Sequence, residues 1–131
     1  MLRKECRILL GITCAATLLI AGCSKSVEPP FVAIEQDVSP TPAQVGPATV
    51  TLKLADAAAQ PITGARIAVE GEMSHAGMSP RFAEAKELGQ GRYQAQIRFE
   101  MAGDWIILLH VTLPGGKKLE RQIDVRGVRP N

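Results

Sequence analysis

Met73, His75 and Met78 stand close together in the segment Glu72-Met73-Ser74-His75-Ala76-Gly77-Met78-Ser79-Pro80. Thioether and imidazole are soft-to-borderline ligands, and where thiolates are absent they are the donors that suit Cu(I). Met73 and His75, two apart, project to the same side of an extended backbone. Gly77 lets the chain fold back and bring Met78 towards them. A three-coordinate S,N,S site is therefore open to this segment, with Met101 and His110 as further candidate ligands from elsewhere in the fold. The same residues have a plainer use. A flexible thioether at a strand end covers the open end of a β-sandwich, and an exposed His needs no ligand at all.

The rest of the chemical inventory is short. Of three Cys, Cys6 and Cys14 fall early and Cys23 is the last, so the chain beyond has no thiolate, disulfide or Cys nucleophile. There is no GxxxxGK[ST] loop, HExxH, GxSxG or EF-hand loop. Carboxylates fall singly along strand faces, no nucleophile–base pair emerges, and the reading is a non-enzyme. His110 shares a strand side with Ile106, Leu108 and Thr112, which suits a half-exposed residue on an outer sheet face better than a ligand. Met101, just before Gly103, reads as core or turn filler.

Composition bounds the partners. The chain has 131 residues, 46% of them hydrophobic, which allows one domain and excludes disorder throughout. Its 15 Lys+Arg stand against 13 Asp+Glu, with no basic run longer than Lys117-Lys118, so a nucleic-acid partner is not expected.

The N-terminus carries an export signal. Arg3, Lys4 and Arg7 precede an uncharged stretch from Ile8 to Ala21, shorter than the ~20 apolar residues of a spanning helix. It ends in Ile20-Ala21-Gly22-Cys23, which resembles the bacterial lipobox: a branched apolar residue, two small residues for the peptidase, and a thiol that takes the lipid. Residues 1–22 are expected to be a lipoprotein signal peptide and Cys23 the lipidated, palmitate-bearing N-terminus. The alternatives are an uncleaved anchor or cleavage elsewhere. The expected location is the cell envelope, facing the periplasm or extracytoplasmic surface. Ser24, where an Asp would hold a lipoprotein in the inner membrane, leans towards the outer membrane. Cleavage removes Arg3, Lys4, Arg7 and Glu5, which cancels the net +2. A neutral domain gains little from anionic lipid, so the acyl chains must supply the attachment.

These candidates need a scaffold. Residues 23–47, with Pro29, Pro30, Pro40, Pro42 and Pro47, read as a tether with a candidate edge strand over 31–37. Residues 48–128 read as strands. Val50, Leu52 and Leu54 alternate with polar neighbours, as do Ile67 and Val69, and Tyr93, Ala95, Ile97 and Phe99. Trp105–Leu113 is the most apolar run, and Pro114-Gly115-Gly116 turns it into 118–125. Arg81–Leu88 is weaker and is read as a strand rather than a helical turn. Six to seven strands between Gly/Pro turns, with no amphipathic helix, predict an all-β, immunoglobulin-like antiparallel sandwich with Trp105 in its core.

Over roughly Gly64–Val125 the chain resembles the YtkA-like family, related to the FixH-like proteins. The matching features are Gly64-Ala65-Arg66-Ile67-Ala68-Val69, the Met73–Met78 segment, Gly91-Arg92-Tyr93 and Phe99-Glu100-Met101-Ala102-Gly103-Asp104-Trp105. The resemblance implies an immunoglobulin-like sandwich that is secreted, membrane-anchored or fused to transport components, often in copper or heavy-metal contexts. FixH-like relatives are linked to assembly of a copper-containing terminal oxidase and carry a true membrane helix, whereas this chain has a lipobox. By position, the implied metal contacts are Met73, His75 and Met78. Two functions follow as expectations. One is a lipid-anchored domain that binds copper and hands it to a transporter or envelope partner. The other is a metal-independent scaffold module of an envelope complex.

Overall fold

The computed structural model describes residues 31–131; the expected signal peptide over 1–22 and the expected lipid site at Cys23 lie outside the described residues. The described chain forms β1 (Ala33–Ser39), β2 (Gly46–Ala55), β3 (Arg66–Met73), β4 (Arg81–Glu84), β5 (Lys86–Gly89), β6 (Arg92–Phe99), β7 (Gly103–Thr112) and β8 (Lys118–Val128). One antiparallel sheet has the order β1-β2-β6-β5 and the other β4-β3-β7-β8. That is the immunoglobulin arrangement, in which a four-stranded sheet of the first, second, fifth and sixth strands faces one built on the third, seventh and eighth. Among the described residues no helix is long and apolar enough to cross a membrane.

Alternation builds both inner faces. Val50, Leu52 and Leu54 of β2 and Tyr93, Ala95, Ile97 and Phe99 of β6 are buried, as are Ile67 and Val69 of β3 and Trp105, Ile107, Leu109 and Val111 of β7. On β2 and β6 each inward residue has polar neighbours on the other face, the pattern of a sheet packed on one side only, whereas β3 and β7 also turn Ala68, Ile106 and Leu108 outward. The described core runs from Val32 to Val128. Phe99 and Trp105 meet edge to face across the sandwich, ring centroids 5.2 Å apart at 60°. Burial pushes the Tyr93 phenol above its ordinary pKa, so it stays protonated, donating to the Ile62 carbonyl at 2.8 Å and accepting from the Ala65 N–H.

Two elements depart from the alternation-based pattern. The candidate edge strand over 31–37 is β1, Ala33–Ser39, paired along β2, so the sandwich starts there rather than at Ala48. β1 stops at Ser39 opposite Thr49, so Pro47, which has no N–H to give, has no β1 neighbour to satisfy. The Arg81–Leu88 run is two short strands, bringing the total to eight. β4 pairs with β3, then the chain crosses at Ala85 to the other sheet, where β5 pairs with β6. The Ala85 N–H donates to the Ile67 carbonyl at 2.9 Å and fixes the crossing.

The strands define two poles. The β3–β4 and β6–β7 connections share one, while the β2–β3, β5–β6 and β7–β8 connections share the other. The chain enters at the second pole, where Ala33 stands opposite Ala55.

Candidate metal centre

β3 ends at Met73. The inward parity of Ile67, Val69 and Gly71 carries through to this residue, so its thioether is in the core and 7% exposed. Met73 stands opposite Trp105 in the β3–β7 register. Its Cε lies only 3.1 Å from the place a Cβ would take on Gly103, whose φ of +132° already favours glycine. The strand alternation that would put His75 on the same side stops here. His75 is exposed, and its Nδ1 lies 3.4 Å from the Ala76 carbonyl. The chain returns at Met78, which is half-buried and packs against the core.

Met101 reaches the same pole from the β6–β7 connection. The indole Nε1 of Trp105 donates to the Met101 carbonyl at 2.9 Å, which holds this connection over the ring. The side chain is 52% exposed, so of the two uses its position before Gly103 suggests, core or turn filler, Met101 is in the turn and not in the core. Its backbone is used as an anchor and its thioether is turned outward. Two further contacts tie the loops together. The Ser74 N–H donates to the Asp104 carbonyl at 3.0 Å. At the exit of the β3–β4 loop, Arg81 Nη2 meets Glu100 Oε2 at 2.6 Å, next to Met101.

Three thioethers and one imidazole thus belong to one pole, staged from the core outward: Met73, then Met78, then His75 and Met101. Beside them a cleft of about 240 Å³ is lined by Ser74, Asp104, Trp105, Ile106, Asp124 and Arg126. Among the described residues no group of three His, Cys, Asp or Glu is placed to hold a metal ion, so a site at this pole would rest on sulfur.

The sequence model of the YtkA-like family matches residues 33–110, more than half of the chain. The chain belongs to the YtkA-like family. The match begins at β1, earlier than the motifs at Gly64 onward, and ends in β7. No curated protein matches the chain in sequence. Among solved structures, the YtkA-like chain is similar to the soluble domain of PmoD from Methylocystis sp. ATCC 49242 (Rockwell), at 12% identity and a TM-score of 0.47, covering 78% of this chain and 92% of that one. It is also similar to murine CRIg, at 12% identity and a TM-score of 0.42, covering 77% and 98%.

In this YtkA-like domain His110 is far from the Met loops. It lies five residues along β7 from Trp105, roughly 17 Å at strand rise, and faces outward. Its Nε2 is 2.8 Å from Glu70 Oε2 and its Nδ1 is 3.0 Å from Glu120 Oε1. The hydrogen bond with Glu70 holds the His110 pKa above the ordinary 6.5, aided by Glu120. A raised pKa makes protonation stabilising: the contribution is complete below the unfolded value and is lost as pH rises through the folded one. The thermal midpoint of the wild type, minus that of His110→Gln, should therefore shrink between pH 6 and 8, measured by circular dichroism. The effect is small, because the His110 side chain is 37% exposed.

Proposed function

We propose that this protein is a lipid-anchored, non-catalytic domain of the cell envelope that binds Cu(I) at its Met/His pole. Met78, His75 and Met101 supply the accessible donors and Met73 lies beneath them. The reading is carried by one observation: the β3–β4 and β6–β7 connections, joined by the Ser74–Asp104 backbone bond and the Arg81–Glu100 ion pair, hold Met78 and His75 on one and Met101 on the other at one end of the sandwich. Sulfur donors on two stapled loops can close on a soft monovalent cation without dismantling either sheet. Attachment through Cys23 would enter at the opposite pole, leaving the Met/His loops facing away from the bilayer and open to exchange with a transporter or envelope protein. The alternative, a metal-independent interaction module, is favoured by the composition of one sheet face, described below.

The test is a Cu(I) titration of residues 31–131, which hold the whole described core, against a competing chromogenic chelator. Wild type should bind one Cu(I) per chain. His75→Ala/Met78→Ala/Met101→Ala should weaken binding by about a hundredfold or more, since lost coordinate bonds exceed the ~10–100-fold of a lost supporting contact. Met73→Leu, which keeps the core filled, should weaken it less. An affinity unchanged in the triple variant refutes the site.

A further inference from the structure

The outward side of the β4-β3-β7-β8 sheet carries three cross-strand rows. The first is Glu84–Ala68–His110–Glu120, the second Phe82–Glu70–Leu108–Gln122, and the third Glu72–Ile106–Asp124. Five carboxylates lie in these rows and no Lys or Arg. In a chain with 15 Lys+Arg to 13 Asp+Glu, that is a strong local imbalance. The cations stand beyond the rows at the two ends: Arg66 and Lys118 at either side of Thr112, and Arg126 past Asp124. Within the acidic rows lies an apolar centre of Phe82, Leu108, Ile106 and Ala68. Phe82 is 70% exposed on β4, an unusual position for a large aromatic ring with no structural task. The other sheet offers a contrast: its outward positions Thr49, Thr51, Lys53, Gln94 and Gln96 have no such centre.

From this face we infer a docking surface for a basic–apolar segment of a partner protein, independent of any metal at the Met/His pole. The apolar centre supplies the anchor, Phe82 above all, and the carboxylate rim supplies steering and register. Charge chooses the occupant. A second copy would set acidic rims against each other, which is repulsive. Size agrees, since four strands by three rows give roughly 15 Å by 15 Å, well under the ~800 Å² per partner of a stable interface. The fit is a short segment with Lys or Arg flanking an apolar side chain, held transiently. His110 bridges Glu70 and Glu120, while Glu72 and Glu84 make no ion pair among the described residues and are free to meet a partner's cations.

The probe is a short peptide alternating Lys and Leu, titrated into isotope-labelled residues 31–131 and followed by backbone amide shifts. Its Glu–Leu counterpart is the control. Binding should perturb Phe82, Ile106 and Leu108, weaken with added salt, and fail with the Glu–Leu peptide. Glu72→Lys/Glu84→Lys should weaken it about tenfold, as should Phe82→Ala, whereas Arg98→Glu on the other sheet should not. Glu84 and Phe82 are exposed and Glu72 is half-buried on the outer face, and the spectra of the variants report directly whether the fold is intact. Shifts mapping to another surface, equal binding of the Glu–Leu peptide, or an affinity indifferent to the charge reversal would overturn the assignment.

Discussion

Trp105→Ala is expected to cost about 3–5 kcal/mol, the range for removing a large aromatic side chain from a packed core. Against a total stability of roughly 5–15 kcal/mol, that leaves the sandwich marginal or unfolded at ambient temperature. The size of the effect has three sources. The indole is 1% exposed and fills the space between the sheets. It meets Phe99 edge to face. Its N–H also satisfies the Met101 carbonyl, so truncation leaves the β6–β7 connection without its tie. Urea unfolding followed by far-ultraviolet circular dichroism measures the loss. Trp105→Phe separates the causes in part, because it keeps much of the ring volume while deleting the hydrogen bond and leaving a smaller cavity. It should cost less than half as much, and a loss as large as that of alanine would mean that packing is not the dominant contribution.

Gly91→Ala is the second large effect. Gly91 has φ +73°, and a Cβ there would stand 2.6 Å from the Leu54 carbonyl oxygen and 2.9 Å from the Pro61 Cβ. Neither neighbour can retreat cheaply. The Leu54 carbonyl accepts from the Ile62 N–H at 3.0 Å, and the Leu54 N–H donates back to the Gly91 carbonyl at 2.8 Å. The substitution thus combines left-handed backbone strain of about 1–3 kcal/mol with displacement of a backbone crossing. Gly89 is the internal control. Its φ is +90°, but nothing lies within 4 Å of the added methyl, so Gly89→Ala should cost the strain alone. In urea midpoints Gly91→Ala should fall at least twice as far; equal shifts would show that the crossing yields.

Most of the framework was legible because burial on one side leaves a period of two. The inward sets of β2, β3, β6 and β7 can be read directly from Val50–Leu54, Ile67–Val69, Tyr93–Phe99 and Trp105–Val111. The Arg81–Leu88 run was not resolved into its parts. The odd positions Ala83, Ala85 and Glu87 keep one parity through the crossing, but small and charged residues at those positions carry little apolar signal, and nothing local marks where the chain leaves one sheet for the other. Met101 could be placed in the turn before Gly103 but not on its outside, because the bond from Trp105 to its carbonyl is invisible to local pattern. The stagger of the candidate metal donors has the same origin: β3 stops at Met73, and strand periodicity says nothing beyond a strand's last residue. The acidic face escaped notice for a different reason. Ile106 and Leu108 sit in the same apolar run as the core residues of β7, and only the register shows that carboxylates from three other strands surround them.

The crossing at Ala85 makes the two flanks of the sandwich unequal. On its side the sheets share a continuous backbone, held by the bond to Ile67. On the other flank β1 and β8 are neighbours with a groove of about 370 Å³ between them, from Gln36 to Arg126, and among the described residues the backbone bonds across it run from Ala43 and Val45, after β1, to Arg129. The molecule is built like a book, with its spine at Ala85 and its leaves along β1 and β8, so thermal breathing is expected to open the leaf side first. Water would then reach Ile123 and Val125 before it reaches the aromatic pair beneath the Met loops.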